Sequence, residues 1–399
     1  MNQHSTIAER MPSAREVFLY FLTLGFINIG GPVAQITMMY NYMVERAHWL
    51  SQDRFVKIMG FAHMLPGPEA LQLAIYVGYL KRGVVGGILA GLFFIIPGAI
   101  VMVILSWLYV TYGSLPQVND VLYILKPAVL GIIAAGIIKL GRAAIKNGVL
   151  AALLVAAFVA IRLVGVDFLL VLVGAGILNL FVVEGLPKFR RAQTPLPIMI
   201  GGIVGAGLAT KLSQPALISI ESRWLDMAWL FLKTGLFSFG GAYASIAFLQ
   251  RGAVDEFHWL TASQLLDGVA LSVATPGPFM LFTTFVGYLA GGVSGAIIAT
   301  FFVFLPSFVL VLAGARYMEQ VQNNRVIQTF LAGVSAAVVG VIIVVSLDLA
   351  PAALVDLSSI VLASIAFLLI IWRNVDVARV AIAAMIGGAA YAAVRAFVS

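Results

Sequence analysis

The stretch that decides the fold is LTLGFINIGGPVAQITMMYNYMVERAHWLSQDRF at 22–55, which returns in altered form as LKTGLFSFGGAYASIAFLQRGAVDEFHWLTASQL at 232–265. Each copy carries a Gly-Gly pair and, further on, a His-Trp-Leu triplet. Gly30-Gly31 becomes Gly240-Gly241, and His48 becomes His258, a constant offset of 210 residues. The chain therefore contains an internal repeat, which is the first feature that a fold prediction must explain.

The repeat extends well beyond these two stretches. Pro66-Gly67-Pro68 matches Pro276-Gly277-Pro278 at the same offset, and Pro97 matches Pro306 after a slip of one residue. Glycine and proline are common in membrane helices, but that enrichment does not place whole triplets at constant spacing. We therefore interpret the chain as two homologous halves.

Composition sets the class of protein. The chain has 399 residues, of which 62% are hydrophobic and 10% charged; its mean hydropathy is +1.04. Soluble domains carry about 25% charged residues. Apolar runs of about 20 residues match helices that cross a hydrocarbon core of about 30 Å, whereas barrel strands would alternate every second residue. The sequence predicts an all-α polytopic membrane protein.

Several function classes are disfavoured. The formal charge of +7 is scattered over loops between apolar runs, which fits membrane insertion better than nucleic-acid binding. Cysteine is absent and the four histidines are dispersed, so no metal-ligand spacing is visible. Phosphate-binding loops and dinucleotide fingerprints are also absent. We expect no cofactor, no metal, no nucleic-acid partner and no enzyme activity.

The expected domains are a cytoplasmic tail at 1–16, a first repeat at 17–185, a linker at 186–223 and a second repeat at 224–399. The linker contains a weak apolar segment near 197–217. If every segment crosses once, there are about 13 membrane segments, and the odd crossing in the linker inverts the second half. The predicted segments are 17–44, 54–80, 83–112, 121–142, 147–163 and 166–184, then 224–250, 262–290, 292–317, 326–348, 352–372 and 376–398.

Loop charges favour an inner-membrane protein with a cytoplasmic N-terminus. This orientation places Lys81-Arg82, Arg142 and Lys146 on the cytoplasmic side, as the positive-inside rule requires. One loop disagrees: residues 45–57 carry Arg46, Arg54 and Lys57 but fall on the opposite side when segment 17–44 crosses once.

Paired helix interruptions predict the binding site. Gly-Gly and Pro-Gly-Pro fall inside the first two segments of each half, and inverted repeats bind anions at the N-termini of such half-helices. Kinks that only help helices to pack remain the alternative. The predicted anion-binding residues are Asn28, Gly30, Gly31, Gln35, Pro66, Gly67, Pro68, Gln72, Lys233, Ser238, Gly240, Gly241, Tyr243, Ser245, Thr275, Pro276, Gly277 and Pro278.

Two ionisable residues lie beside these breaks. Glu69 follows Pro68 in the first turn of a helix, where it either caps that helix or carries a coupling proton. A carboxylate next to an anion would repel it unless protonated, and this favours the coupling role. Lys233 either attracts the anion or extends toward an interface.

The motifs LGFINIGGPVAQI at 24–36, ERAHWL at 45–50, LPGPEALQLAIYVGY at 65–79, KTGLFSFGGAYASI at 233–246 and FVGYLAGG at 285–292 resemble the long-chain chromate ion transporter family. The resemblance covers both halves and implies export of chromate, or of a related sulfate-like oxyanion, from the cytoplasm. With no nucleotide-binding motif in the chain, we expect secondary transport coupled to protons.

Alternatives stay open at this point: a sulfate-type uptake carrier, a passive anion channel and, ranked last, a membrane enzyme acting on lipid-linked phosphates. The partners expected are the oxyanion and the lipid bilayer, and a homodimer is left open.

Overall fold

A computed structural model describes residues 9–29, 31–184, 222–239 and 242–398. These residues form helices joined by loops, with an isolated antiparallel bridge between Ile29 and Pro276. The all-α prediction is confirmed for this part of the chain. The predicted linker 186–223, apart from its last two residues, lies outside the described residues, as do Gly30, Gly240 and Gly241.

The described residues of the first half form α1 to α7. Two of them continue as π-helical turns, α2 through Asn41–Arg46 and α6 through Ala160–Val164. They are α1 Ala14–Ile27, α2 Pro32–Tyr40, α3 Gln52–Met64, α4 Glu69–Tyr112, α5 Pro116–Ala144, α6 Gly148–Val159 and α7 Phe168–Glu184.

The second half repeats this series. Its second helix continues as a π-helical turn, Gln250–Glu256, and a short 3-10 turn, Phe279–Leu281, precedes α11. The helices are α8 Ser222–Leu236, α9 Ala242–Leu249, α10 Ala262–Ala274, α11 Phe282–Gly314, α12 Met318–Gln322, α13 Arg325–Ala353, α14 Leu357–Ile371 and α15 Val377–Val398.

Local sequence explains where several helices begin. The Ser13 hydroxyl accepts from the Glu16 amide at 3.1 Å, and Pro32 occupies the first position of α2, where its missing N–H costs nothing. Thr261 and Gln264 form a reciprocal capping box at the start of α10. The helix starts thus follow from capping residues, even inside the apolar stretches.

The predicted segment 17–44 folds back on itself. The rings of Tyr20 in α1 and Tyr42 after α2 stack with centroids 4.1 Å apart, and the Arg10 amide donates to the His48 carbonyl at 2.7 Å. Both ends of the segment therefore lie together. The expectation of a single crossing is corrected here, because Asn28 and its neighbours turn the chain back halfway.

The predicted segment 54–80 behaves in the same way. Glu9 accepts from Arg54 at 2.8 Å and lies 3.6 Å from the Lys81 ammonium, so the start of α3 and the end of the first part of α4 meet at one place. Pro66-Gly67-Pro68 forms the turn between them. We call the end of the molecule marked by Glu9, Arg54 and Lys81 the first face.

Helix α4 is interrupted as well. Arg82 and Gly83 leave helical geometry, with a φ of +65° at Gly83, and Gly78 packs directly against the Gly86 backbone. The part after the break runs about 40 Å to Tyr109 at about 1.5 Å per residue. The part of the molecule around Tyr109 is the second face.

The second half reproduces these local geometries. His48 and His258 both have a φ of +52°, and their Nδ1 atoms lie 2.9 and 2.8 Å from the carbonyls four residues earlier. The break at Gly292 matches the one at Gly83. The repeat in the sequence is therefore a repeat in three dimensions.

Lipid exposure fits the composition. Large apolar side chains remain exposed along outer helix faces, including Ile100 and Ile104 of α4 and Phe301 of α11, while residues such as Phe94 and Phe304 are buried. Within the described ranges, five stretches are long and apolar enough to cross a membrane, and the predicted number of about 13 crossings is not confirmed. The five stretches are Glu69–Tyr112, Pro116–Ala144, Phe279–Tyr317, Arg325–Ala353 and Val377–Phe397.

Candidate anion site

The helix breaks of the two halves meet at the centre of the molecule. The Gly277 amide donates to the Asn28 carbonyl at 3.3 Å and to its side-chain oxygen at 2.5 Å. In the matching pair, the Gly67 amide donates to the Ser238 carbonyl at 3.1 Å. We call Asn28, Gly67, Ser238 and Gly277 the cross-repeat junction. Because each Pro-Gly-Pro bonds the opposite half, the breaks connect the repeats.

Glycine is required at both turns. Gly67 has a φ of +116° and Gly277 a φ of +106°, a region that other residues avoid. A Cβ on Gly67 would lie 2.5 Å from the Ser307 hydroxyl, and Gly98, the repeat mate of Ser307, packs against the Pro276 carbonyl. The close contact between the two halves is thus a second reason why only glycine, which has no Cβ, fits at Gly67.

Two predicted glutamines support the junction. Gln35 donates to the Gly277 carbonyl at 2.8 Å, and Gln72 donates to the Pro66 carbonyl at 2.6 Å. The sequence predicted that Asn28, Gln35, Gln72 and Ser238 lie near one site. The structure brings all four to the cross-repeat junction. Their side chains are almost fully buried.

Some polar atoms of this centre lack partners within the described residues. They are Asn28 Nδ2, Gln72 Oε1 and Ser307 Oγ. A buried donor without an acceptor costs about 1–3 kcal/mol, so the Asn28 amide is suited to donate to a bound anion. Ser307 was missed by sequence reasoning, although a serine directly after Pro306 in an apolar helix, matched by Gly98, was a visible signal.

The remaining predicted residues lie around the junction at various distances. The Tyr243 ring packs on Phe279 with centroids 5.3 Å apart, and Thr275 donates to the Ser272 carbonyl at 3.2 Å. Ser245 is buried in α9, and Lys233 lies half-buried in the last turn of α8. Gly31 precedes α2, and Pro68 and Pro278 precede the helical turns after each break.

A cavity of about 470 Å³ lies beside Glu69, within the range of about 300–1,000 Å³ typical of small-molecule sites. The Glu69 carboxylate lies 2.9 Å from His63 Nδ1. Sequence reasoning identified Glu69 but missed the histidine, which stands six residues earlier across the turn. Other lining residues include Phe239, Lys146, Gln328 and Ser335.

The cavity lies on the first-face side of the junction. Gln328 in its lining bonds the Gln322 carbonyl, and Gln322 donates to the Lys57 carbonyl at 2.7 Å. Lys146 provides a cation in the same wall. No group of three or more metal-ligating side chains occurs in the part of the chain that the structure describes. The lining of the cavity offers hydrogen-bonding groups and charge.

Comparisons with known proteins identify a family for this sequence. A family model described as "Chromate transporter" matches residues 15–180 and 225–392. A chromate transport protein of Cupriavidus metallidurans is 34% identical over 94% of this chain and 93% of its own. One of Pseudomonas aeruginosa is 36% identical over 94% and 91%, and a probable one of Synechococcus elongatus is 34% identical over 83% of both chains. No solved structure matches.

Proposed function

Because the chain belongs to the chromate transporter family, we propose that it exports chromate or a related sulfate-like oxyanion from the cytoplasm by proton-coupled secondary transport. Members of this family are transport proteins and not enzymes. The observation that carries the proposal is the cross-repeat junction, where buried polar groups of both halves meet beside a cavity.

The anion binds at the junction and enters through the cavity. Amides in the first turn of a helix lack intrahelical partners and carry partial positive charge, and the helix after Pro68 begins beside the cavity at Glu69. The unpartnered Asn28 amide adds a donor. Lys146 raises the local concentration of anions in the cavity.

The proton is carried by Glu69 together with His63. Their 2.9 Å contact keeps the carboxylate beside a partner that compensates its charge, and both side chains line the cavity. A dianion approaching this site is repelled by an ionised Glu69 and tolerated by a protonated one. Binding of the anion and of the proton are therefore linked.

The two halves are inverted in the membrane, with the first face cytoplasmic. In support, the chain after α11 reaches the first face through Gln322 and Lys57, whereas Lys126, early in α5, reaches Ser263 at the start of α10 at 2.7 Å. The folded-back segments also place Arg54 beside Lys81 through Glu9, which removes the exception to the positive-inside rule for this residue.

Chromate uptake into inside-out vesicles tests the proposal. When the medium is made more acidic than the lumen, vesicles containing the protein should accumulate chromate above the outside concentration, because the anion enters together with the proton on Glu69, and a protonophore should abolish this. A passive channel only equilibrates chromate, and an uptake carrier instead loads intact cells. Either result would contradict the proposal. Competition by sulfate or molybdate then defines the substrate class.

Replacing Glu69 by Gln tests the coupling step. The variant keeps the shape of the side chain but cannot release a proton, so its transport rate should become independent of pH, whereas the wild type varies. Glu45→Gln, at an exposed site on the same half, is the matched control. A pH profile that Glu69→Gln leaves unchanged removes Glu69 from the coupling mechanism.

A further inference from the structure

A buried charge pair lies between the junction and the second face. The Lys126 ammonium lies 3.2 Å from Asp267 Oδ1, and Asp267 is 2% exposed. Tyr109 donates to Asp267 Oδ2 at 2.8 Å, and Lys126 also donates to Ser263 Oγ. We call Tyr109, Lys126, Ser263 and Asp267 the Asp267 cluster. Ionisable residues at membrane depth are rare and usually functional.

The cluster joins the two halves on a helix that leads to the junction. Tyr109 and Lys126 come from the first half, and Ser263 and Asp267 from α10 of the second. Asp267 lies about 8 Å along α10 from its first residue, and the helix ends directly before Thr275 and Pro276. Separating α10 from α5 therefore requires the two charges to separate.

Among the described residues, the ion pairs of Glu9 with Arg54 and Lys81 on the first face lie within the first half, whereas the Asp267 cluster joins the two halves. The repeat mate of Asp267 is Lys57, whose side chain is exposed and whose carbonyl accepts from Gln322. The cavity lies on that side of the junction. The molecule thus has a cavity toward the first face and a buried ion pair toward the second.

We infer that the Asp267 cluster is the gate on the second face, and that Lys126 is the anion subsite through which the oxyanion leaves. The inference rests on the proposed transport function. A buried charge without its partner is strongly unfavourable, so Lys126 leaves Asp267 only when another anion replaces it. A tetrahedral dianion arriving from the junction supplies charge-assisted hydrogen bonds to the ammonium, while Asp267 keeps the hydrogen bond from Tyr109 and reaches water as α10 moves.

Thiol labelling tests the gate. The chain has no cysteine, so Ser272→Cys, a buried position five residues beyond Asp267 on α10, carries the sole thiol. An impermeant maleimide added from the second face should label it slowly, and several-fold faster when Asp267→Asn is added. The matched control is Asp348→Asn, which breaks an exposed pair with Arg162 and should leave labelling slow. Unchanged labelling in Asp267→Asn overturns the gate.

Transport by paired variants tests the subsite. Lys126→Met alone leaves Asp267 unpaired and endangers folding, so the double variant Asp267→Asn with Lys126→Met, which removes both charges, is used. It should insert and label rapidly but lose chromate transport, whereas Lys126→Arg retains transport. A double variant that transports like the wild type excludes Lys126. If the wild type itself moves no chromate, the proposed function fails, while the labelling result still decides the gate.

Discussion

At the scale of single residues, the junction is nearly symmetric but its chemistry is not. Asn28 accepts from Gly277 with both its carbonyl and its side chain, whereas Ser238 uses its carbonyl for Gly67 and bonds Thr234 with its hydroxyl. At the junction, the first half therefore accepts a hydrogen bond with a side chain as well as with the backbone, whereas the second half accepts with the backbone alone.

This asymmetry predicts different effects of two matched substitutions. Asn28→Ala removes a buried hydrogen bond worth about 0.5–1.5 kcal/mol together with the unpartnered amide, whose burial is itself unfavourable, so it should change the free energy of unfolding by less than about 1 kcal/mol but abolish chromate transport. Ser238→Ala leaves the bond to Gly67 intact and should transport like the wild type. Vesicle uptake and thermal unfolding in detergent measure both effects, and equal loss in the two variants would contradict the assignment.

Gly67 allows a second test, because two causes require glycine there. Gly67→Ala meets both the positive φ and the Ser307 hydroxyl, and it should reduce stability by about 1–3 kcal/mol together with transport. Adding Ser307→Gly, which copies Gly98 of the other half, removes the steric cause alone. In unfolding measurements, the double variant should regain part of the stability that Gly67→Ala loses. If it regains all of that stability, the positive φ at residue 67 does not contribute to the loss.

Sequence reasoning predicted the residues of the junction but not their pairing. The breaks at Gly67 and Gly277 are visible because each glycine stands between two prolines, whereas a single proline such as Pro97 stays inside a helix. The bond between Gln35 and Gly277 joins positions 242 residues apart, and no local pattern encodes such a contact. His63 and Asp267 were missed because their partners lie in other helices, so only the tertiary fold gives them a role.

At the scale of helices, the length of an apolar segment did not show whether it crosses the membrane once or turns back. The segment 17–44 is long enough to cross a bilayer, yet it consists of two short helices joined at Asn28 and its neighbours. Length and hydropathy are the same for a crossing and for two half-length helices that turn back. The Tyr20–Tyr42 stacking and the Glu9 contacts distinguish them.

Glu9 ties these folded-back segments together, and its contribution depends on pH. Burial raises the pKa of this carboxyl, but the Ser51 amide, Arg54 and Lys81 outweigh it and hold the pKa below 4.5. A lowered pKa stabilises the fold above the unfolded value and is lost as the pH falls through the folded value. Glu9→Gln should therefore lower the melting temperature at pH 7, and the difference from the wild type should shrink toward pH 4.

Glu16→Gln is the control for this prediction. Glu16 pairs with Arg10 within the N-terminal segment, so its loss leaves the contact between α3 and α4 intact. An exposed pair of this kind contributes little, and the variant should melt like the wild type at both values of pH. A Glu9→Gln difference that is as large at pH 4 as at pH 7 would show that packing, rather than charge, holds the segment.

At the scale of the whole molecule, the fold predicts which side of the membrane each loop faces. Three variants, each with a single cysteine, can test this topology. Ser51 and Val84 are exposed residues beside the first face, and Thr261, the repeat mate of Ser51, is exposed at the start of α10. Folded-back segments put Ser51→Cys and Val84→Cys on one side, whereas segments that each cross once put them on opposite sides. Inverted halves put Thr261→Cys opposite Ser51→Cys.

We expect an impermeant maleimide to label Thr261→Cys in intact cells, and Ser51→Cys and Val84→Cys only after the cells are opened, because the first face is cytoplasmic. Labelling after denaturation corrects for expression of each variant. If Ser51→Cys and Val84→Cys differ, the chain crosses between them and the folded-back segments are wrong. If Thr261→Cys behaves like Ser51→Cys, the halves are parallel, and a site shared by inverted repeats is excluded however well the junction is paired.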